Sequence, residues 1–131
     1  MTKQRLQEYL WLKQNIAKIE AEIESIDSKL TSTTRPLNDM PKYQSPIDIM
    51  NGLTAKRISL EKTLNQQLTK SYIEREAIER AISSLPQREQ YLFRLRYIEG
   101  KIWEDICIEM SYCYAQIHRV HRDILRKKGW V

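Results

Sequence analysis

Tyr9, Leu12, Ile16, Ile19, Ile23, Ile26 and Leu30 recur at intervals that alternate between three and four residues. Such spacing places one apolar side chain per helical turn along a single seam, the a/d pattern of a heptad repeat. Glu and Lys fill the positions between them, so a helix built on this stretch is polar on its other faces and cannot cover the seam by itself. The seam needs a second helix, either from the same chain folded back as an antiparallel hairpin or from another copy in a homodimer. A second helical stretch runs from about 47 to 84, with Leu53, Leu60, Leu64, Ile78, Ala81, Ile82 and Leu85 as its apolar positions. Its stripe is interrupted by Arg57, Gln67, Ser71 and Glu74. Between the two, about 31 to 46, lie Pro36, Pro41, Pro46 and a Ser/Thr cluster. Proline lacks a backbone donor and disfavours helix at the residue before it, so this stretch is expected to be a linker or long hairpin loop.

Helix breakers are otherwise scarce: only 3 Gly and 4 Pro occur in 131 residues. The fold is therefore expected to be all-α, in two parts. Residues 1–84 form a helical hairpin or coiled-coil arm, and residues 85–131 a separate compact domain. Charged residues break every apolar run well before the ~18 residues a membrane span requires, and the polar start has no signal-like core. A soluble protein of the cytoplasm follows as the expectation. Cys107 and Cys113, the only cysteines, are then expected to be reduced thiols. The net charge is +5, from 22 Lys+Arg and 17 Asp+Glu. It is concentrated in residues 111–131, where Arg119, Arg122, Arg126, Lys127 and Lys128 face only Asp123. A cationic terminus of this kind suits a polyanionic partner.

The last third of the chain reads as three short helices. Proline in Leu85-Pro86-Gln87-Arg88-Glu89 opens the first, whose Tyr91, Leu92, Leu95 and Ile98 are expected to face inward, and Gly100 is placed to end it. Trp103, Ile106, Cys107 and Met110 then give one apolar side to a helix of about two turns, with Glu104 and Asp105 near its positive N-terminal end. After Ser111-Tyr112-Cys113, a third helix carries Ile117, Val120, Ile124 and Leu125 on one side. At ~100° per residue, Ala115, Arg119, Arg122 and Arg126 fall within about 40° of the opposite side, flanked by Gln116 and His118. A short helix, a tight turn and a longer helix with an arginine stripe form the pattern of a helix-turn-helix, whose second helix fits a major groove about 12 Å wide. The plainer interpretation is a solvated charged face, but ordinary helix surfaces mix signs more evenly.

These residues also resemble a family. Leu85-Pro86-Gln87-Arg88-Glu89, Leu95-Arg96-Tyr97-Ile98-Glu99-Gly100-Lys101, Trp103-Glu104-Asp105-Ile106, Met110-Ser111-Tyr112 and His118-Arg119-Val120-His121 are similar to region 4 of bacterial sigma factors. They are more similar still to the small phage late-gene activators of the RinA and ArpU type. The resemblance covers about residues 75–128. It implies a transcription activator of a phage or prophage, acting in the host cytoplasm, that sets its third helix on promoter DNA and touches RNA polymerase through the same domain. Ser111 stands where such domains usually have Gly, and Cys113 where they usually have a Ser or Thr cap.

Arg119 and Arg122 are the leading candidates for contact with bases or adjacent phosphates, since a guanidinium can pair bidentately with guanine. Tyr114, Ala115, Gln116 and His118 lie at the leading end of the helix, where such motifs touch base edges; Tyr114 serves equally well as packing. Lys101, Arg126, Lys127 and Lys128 read as phosphate contacts or as solvated charge. The spacing of Cys107, Cys113, His118 and His121 lacks the close cysteine pair of a structural zinc site, so no metal or other cofactor is expected. His121 is expected to pack near Trp103. No nucleophile elbow, carboxylate pair or metal-ligand cluster points to an enzyme. Two other functions share the pattern: a protein-binding adapter that works through the helical arm, and a DNA-packaging subunit of the small-terminase kind.

Overall fold

A computed structural model describes residues 1–31 and 46–131. Its element order is α1 (Lys3–Thr31), α2 (Pro46–Ile82), α3 (Gln87–Phe93) running into a π-helical segment (Arg94–Ile98), α4 (Trp103–Met110) and α5 (Tyr114–Lys128). The protein is all-α, with no strand among the described residues. Most of the proline-rich stretch falls outside them. Pro46, however, is the first residue of α2, where a missing N–H costs nothing because the first helical donors have no partner within the helix. Thr2 caps α1, its Oγ1 accepting from the backbone N–H of Arg5 at 3.2 Å.

The chain divides into two compact units. One comprises Met1–Lys13 and Lys70–Val131, the other Gln14–Thr69. Composition places the boundary near residue 85; the packing instead draws the start of α1 and the end of α2 into the C-terminal unit. Leu6, Tyr9, Ile78 and Ile82 belong to the same buried cluster as Leu92, Phe93, Tyr97, Ile106, Ile117 and Ile124. Four short amphipathic segments enclose little volume, and the two long helices supply the apolar surface that completes this core. Arg5 and Glu74, whose Nε and Oε2 are 2.9 Å apart, flank it.

In the other unit, Ile16, Ile23 and Ile26 of the seam are buried, and Leu53, Leu60 and Leu64 of α2 are half-buried. The heptad seam is thus covered within one chain. Arg57, an interruption in the α2 stripe, donates from Nε to Asp27 Oδ1 at 2.5 Å and from Nη1 to Glu61 Oε1 at 2.6 Å. A polar side chain on the stripe is tolerated because α1 offers it a carboxylate.

In the segment after α2, Leu92, Leu95 and Ile98 are buried as expected, and one of the four side chains expected to face inward is not. Tyr91 is exposed, its hydroxyl 3.1 Å from Glu109 Oε2, while Phe93 and Tyr97 are buried. Neighbouring pairs Leu92–Phe93 and Tyr97–Ile98 are all buried, so this helix is enclosed on more than one side. The π-helical segment contributes to this at the Tyr97–Ile98 end. Its widened turn, closed by Glu99 N–H donating to Arg94 O at 2.9 Å, rotates the following side chains relative to an α-helix. Lys13 Nζ donates to Ile98 O at 2.5 Å and satisfies a carbonyl at its end. Gly100 follows at φ +73, as a helix-ending residue should.

Candidate nucleic-acid interface

α4 and α5 pack against each other across a three-residue connection. At the end of α4, Tyr112 N–H donates to Cys107 O at 3.0 Å and Ser111 N–H to Ile108 O at 3.3 Å. This is a Schellman closure, and it requires a left-handed residue at its centre. Ser111 takes that conformation at φ 57, ψ 39, the one non-glycine among the described residues with positive φ. Cys113 occupies the N-cap of α5 with extended backbone and makes no side-chain capping bond. At the far end, Gly129 closes α5 with the same pair of bonds, from Trp130 N–H to Leu125 O at 2.9 Å and from Gly129 N–H to Arg126 O at 3.2 Å.

The inward side of α5 holds Ile117, His121, Ile124 and Leu125, all buried. His121 sits in an aromatic cluster with Phe93, Tyr97 and Trp103, at ring-centroid distances of 5.5, 5.7 and 4.8 Å. Its Nε2 is 2.5 Å from Tyr97 Oη. Burial, aided by the positive charges of Lys3 and Arg96, pushes His121 down to about 4, and burial pushes Tyr97 up to about 12. Both groups are neutral near pH 7. The imidazole is therefore a structural member of the core.

The outward side holds Tyr114, Ala115, Arg119, Arg122, Arg126 and Lys127, all exposed; Gln116 and Lys128 are half-buried. Ala115, Arg119 and Arg122 line a surface groove of about 400 Å³ with His118, His121 and Leu125. Its remaining lining residue, Lys3, comes from the other end of the chain. Lys3 is held there by its backbone, which donates to Trp130 O at 2.5 Å, while Trp130 packs edge-on against Phe93. No local pattern marks Lys3. Its place is set by the burial of Leu6 and Tyr9 in the common core.

Two expected contact residues are placed differently from the rest. Lys101 Nζ pairs with Glu109 Oε1, and that bond raises the lysine and lowers the carboxylate from their ordinary values. It is thus a neutralised cation rather than a free one. His118 lies between the rings of Trp103 and Tyr114, at 4.7 and 4.2 Å, with a buried Nε2 that has no hydrogen-bond partner among the described residues. Its ring supports the helix more than it presents an edge to solvent. Tyr114 remains 54% exposed despite that stacking.

Among the described residues, no three His, Cys, Asp or Glu side chains are grouped so as to hold a metal ion, and no helix is long and apolar enough to cross a membrane. Cys107 and Cys113 are free thiols. The chain matches no family model, no curated protein and no solved structure.

Proposed function

We propose that the protein binds double-stranded DNA with sequence preference through the outward face of α5 and regulates transcription, acting as a phage late-gene activator in a bacterial host. The observation that carries this reading is the two-sidedness of α5: Ile117, Ile124 and Leu125 are buried, while Arg119, Arg122 and Arg126 are exposed with Ala115. A helix of about 10–12 Å diameter enters a major groove about 12 Å wide, and a small residue such as Ala115 leaves room for close approach. Arg119 and Arg122 serve as base or phosphate contacts, with Tyr114 and Gln116 at the leading end. Arg126, Lys127 and Lys128 follow the phosphate backbone. The similarity to sigma region 4 supports RNA polymerase as a second partner.

Footprinting on the DNA flanking the gene, with and without RNA polymerase, tests the position and recruitment together. A protected stretch beside a promoter, extended when polymerase is present, is the expected outcome. Equal protection of all sequences, or none at about 150 mM salt, counts against it.

A protein-binding adapter is the second reading. It is favoured by Trp11, Tyr72 and Ile73, large apolar side chains exposed at 64%, 72% and 62%. Under that reading a Trp11→Ala, Ile73→Ser variant abolishes function in the host while duplex binding is unchanged.

A further inference from the structure

The N-terminal residues lie beside the basic face of α5, and this adds a contact that the helix-turn-helix pattern alone does not contain. Lys3 lines the same groove as Arg119 and Arg122, and its backbone is fixed to the far end of α5 through Trp130 O at 2.5 Å. We propose that Lys3, on the flank of the groove it shares with Arg119 and Arg122, contacts a phosphate of the DNA backbone as a sequence-independent anchor delivered by α1. This inference rests on α5 being the duplex-facing helix.

Three features of the groove carry it. First, the lining cations come from both termini of the chain, and no carboxylate belongs to the lining. A groove with one sign of charge attracts an anion, and the surrounding protein focuses the field toward it. Second, Lys3 lies close enough to the rest of the lining to act on it: after burial, its charge is the next cause that lowers the His121 pKa. Third, Lys3 is not part of α5 but lies at its flank. When a helix fills the major groove, its tip and outer face meet base edges, whereas a cation beside it meets the sugar-phosphate wall. A lysine is a compact point charge with rotatable donors, suited to a phosphate oxygen and indifferent to base identity.

The anchor also gives the packing of the chain ends a use. The N-terminal turn of α1 is capped by Thr2 and docked by Leu6, which is fully buried. The ammonium is therefore carried on an ordered helix rather than on a loose tail, and less conformational entropy is lost when it meets a phosphate.

The test compares the full-length protein with Lys3→Gln and Lys3→Arg, titrated into a duplex from the flanking DNA and into a random duplex between 50 and 300 mM salt. Losing one phosphate contact flattens the slope of log K against log salt by ~0.9 and weakens binding about fivefold at 150 mM. The expected result for Lys3→Gln is that loss on both duplexes alike, with the ratio of specific to random binding unchanged and Lys3→Arg close to wild type. Because the Lys3 side chain is exposed, both variants should melt as wild type does. Amine acetylation of the wild-type protein gives an independent readout, in which Lys3 should be shielded when duplex is bound. Unchanged slope and affinity in Lys3→Gln, or equal acetylation of Lys3 with and without DNA, overturns the anchor while leaving α5 as the DNA helix. If wild type binds neither duplex, the anchor falls together with the DNA-binding function.

Discussion

Tyr97 Oη and His121 Nε2 lie 2.5 Å apart inside the core, joining the π-helical segment to α5 by a buried hydrogen bond. With the tyrosine pushed up to about 12 and the histidine down to about 4, neither carries charge at neutral pH. The bond is maintained while both partners stay neutral.

Acid should therefore weaken the fold through His121. The native pKa lies below the unfolded value of 6.5, so its contribution is full above pH 6.5 and is lost as pH falls toward 4, where the unfolded chain binds a proton that the native core refuses. The loss is on the order of 3 kcal/mol over that window. Urea unfolding from pH 8 to 4 measures it, and the slope below pH 6.5 should be much shallower in His121→Gln. Equal slopes in the two proteins would show that the imidazole is not held neutral.

The turn between α4 and α5 carries two residues that fit their positions poorly. Ser111 adopts the left-handed conformation at φ 57, which costs an L-residue roughly 1–2 kcal/mol relative to glycine. Cys113 stands at an N-cap without a capping bond. Ser111→Gly and Cys113→Ser should each stabilise the protein by about 1 kcal/mol, a rise of roughly 4 °C in Tm. Calorimetry distinguishes this from no change, which would mean that the turn carries no strain.

The division of the packing at residues 13 and 70 predicts which truncations fold. Leu6 and Ile78 are fully buried in the cluster that also holds Ile117. Leu6→Ala or Ile78→Ala should cost about 2–5 kcal/mol and impair duplex binding, although neither residue is in the last third of the chain. Residues 85–131 alone lack Leu6, Tyr9, Ile78 and Ile82 and should show no cooperative thermal transition by circular dichroism. A sharp melt of that fragment would restore the boundary that composition suggests.

Much of the fold could be read from spacing. The α1 seam, the two-sided α5 and the glycine end at Gly100 each depend on residues near one another in sequence, where helical periodicity and turn chemistry apply. The π-helical segment could not be read so, because nothing in Arg94–Ile98 encodes a widened turn. It arises where one short helix is packed from several sides, with Phe93 and Tyr97 buried alongside Leu92, Leu95 and Ile98. For the same reason the basic face of α5 was legible from Arg119 and Arg122, but the presence of Lys3 beside it was not. That proximity is a product of tertiary packing between the two ends of the chain.

The pairing of Lys101 with Glu109 separates it from the arginines of α5. A duplex phosphate would have to compete with that carboxylate, so Lys101→Gln should weaken DNA binding less than Arg122→Gln does. Glu109→Gln releases the lysine and should strengthen binding to random and specific duplexes alike. Fluorescence anisotropy at a single salt concentration ranks the three variants. Weaker binding by Glu109→Gln would indicate that the pair itself shapes the interface.

The most direct test of the account is an anisotropy titration of the wild-type protein and an Arg119→Ala, Arg122→Ala variant against a duplex from the flanking DNA at about 150 mM salt. If these two exposed guanidinium groups meet the duplex, the variant loses at least about 30-fold in affinity, the loss of two contacts each worth about 1 kcal/mol or more, and melts as wild type does. Equal affinity of the two proteins, or no binding by wild type to any duplex in a random pool, contradicts the assignment of α5 as the DNA-binding helix.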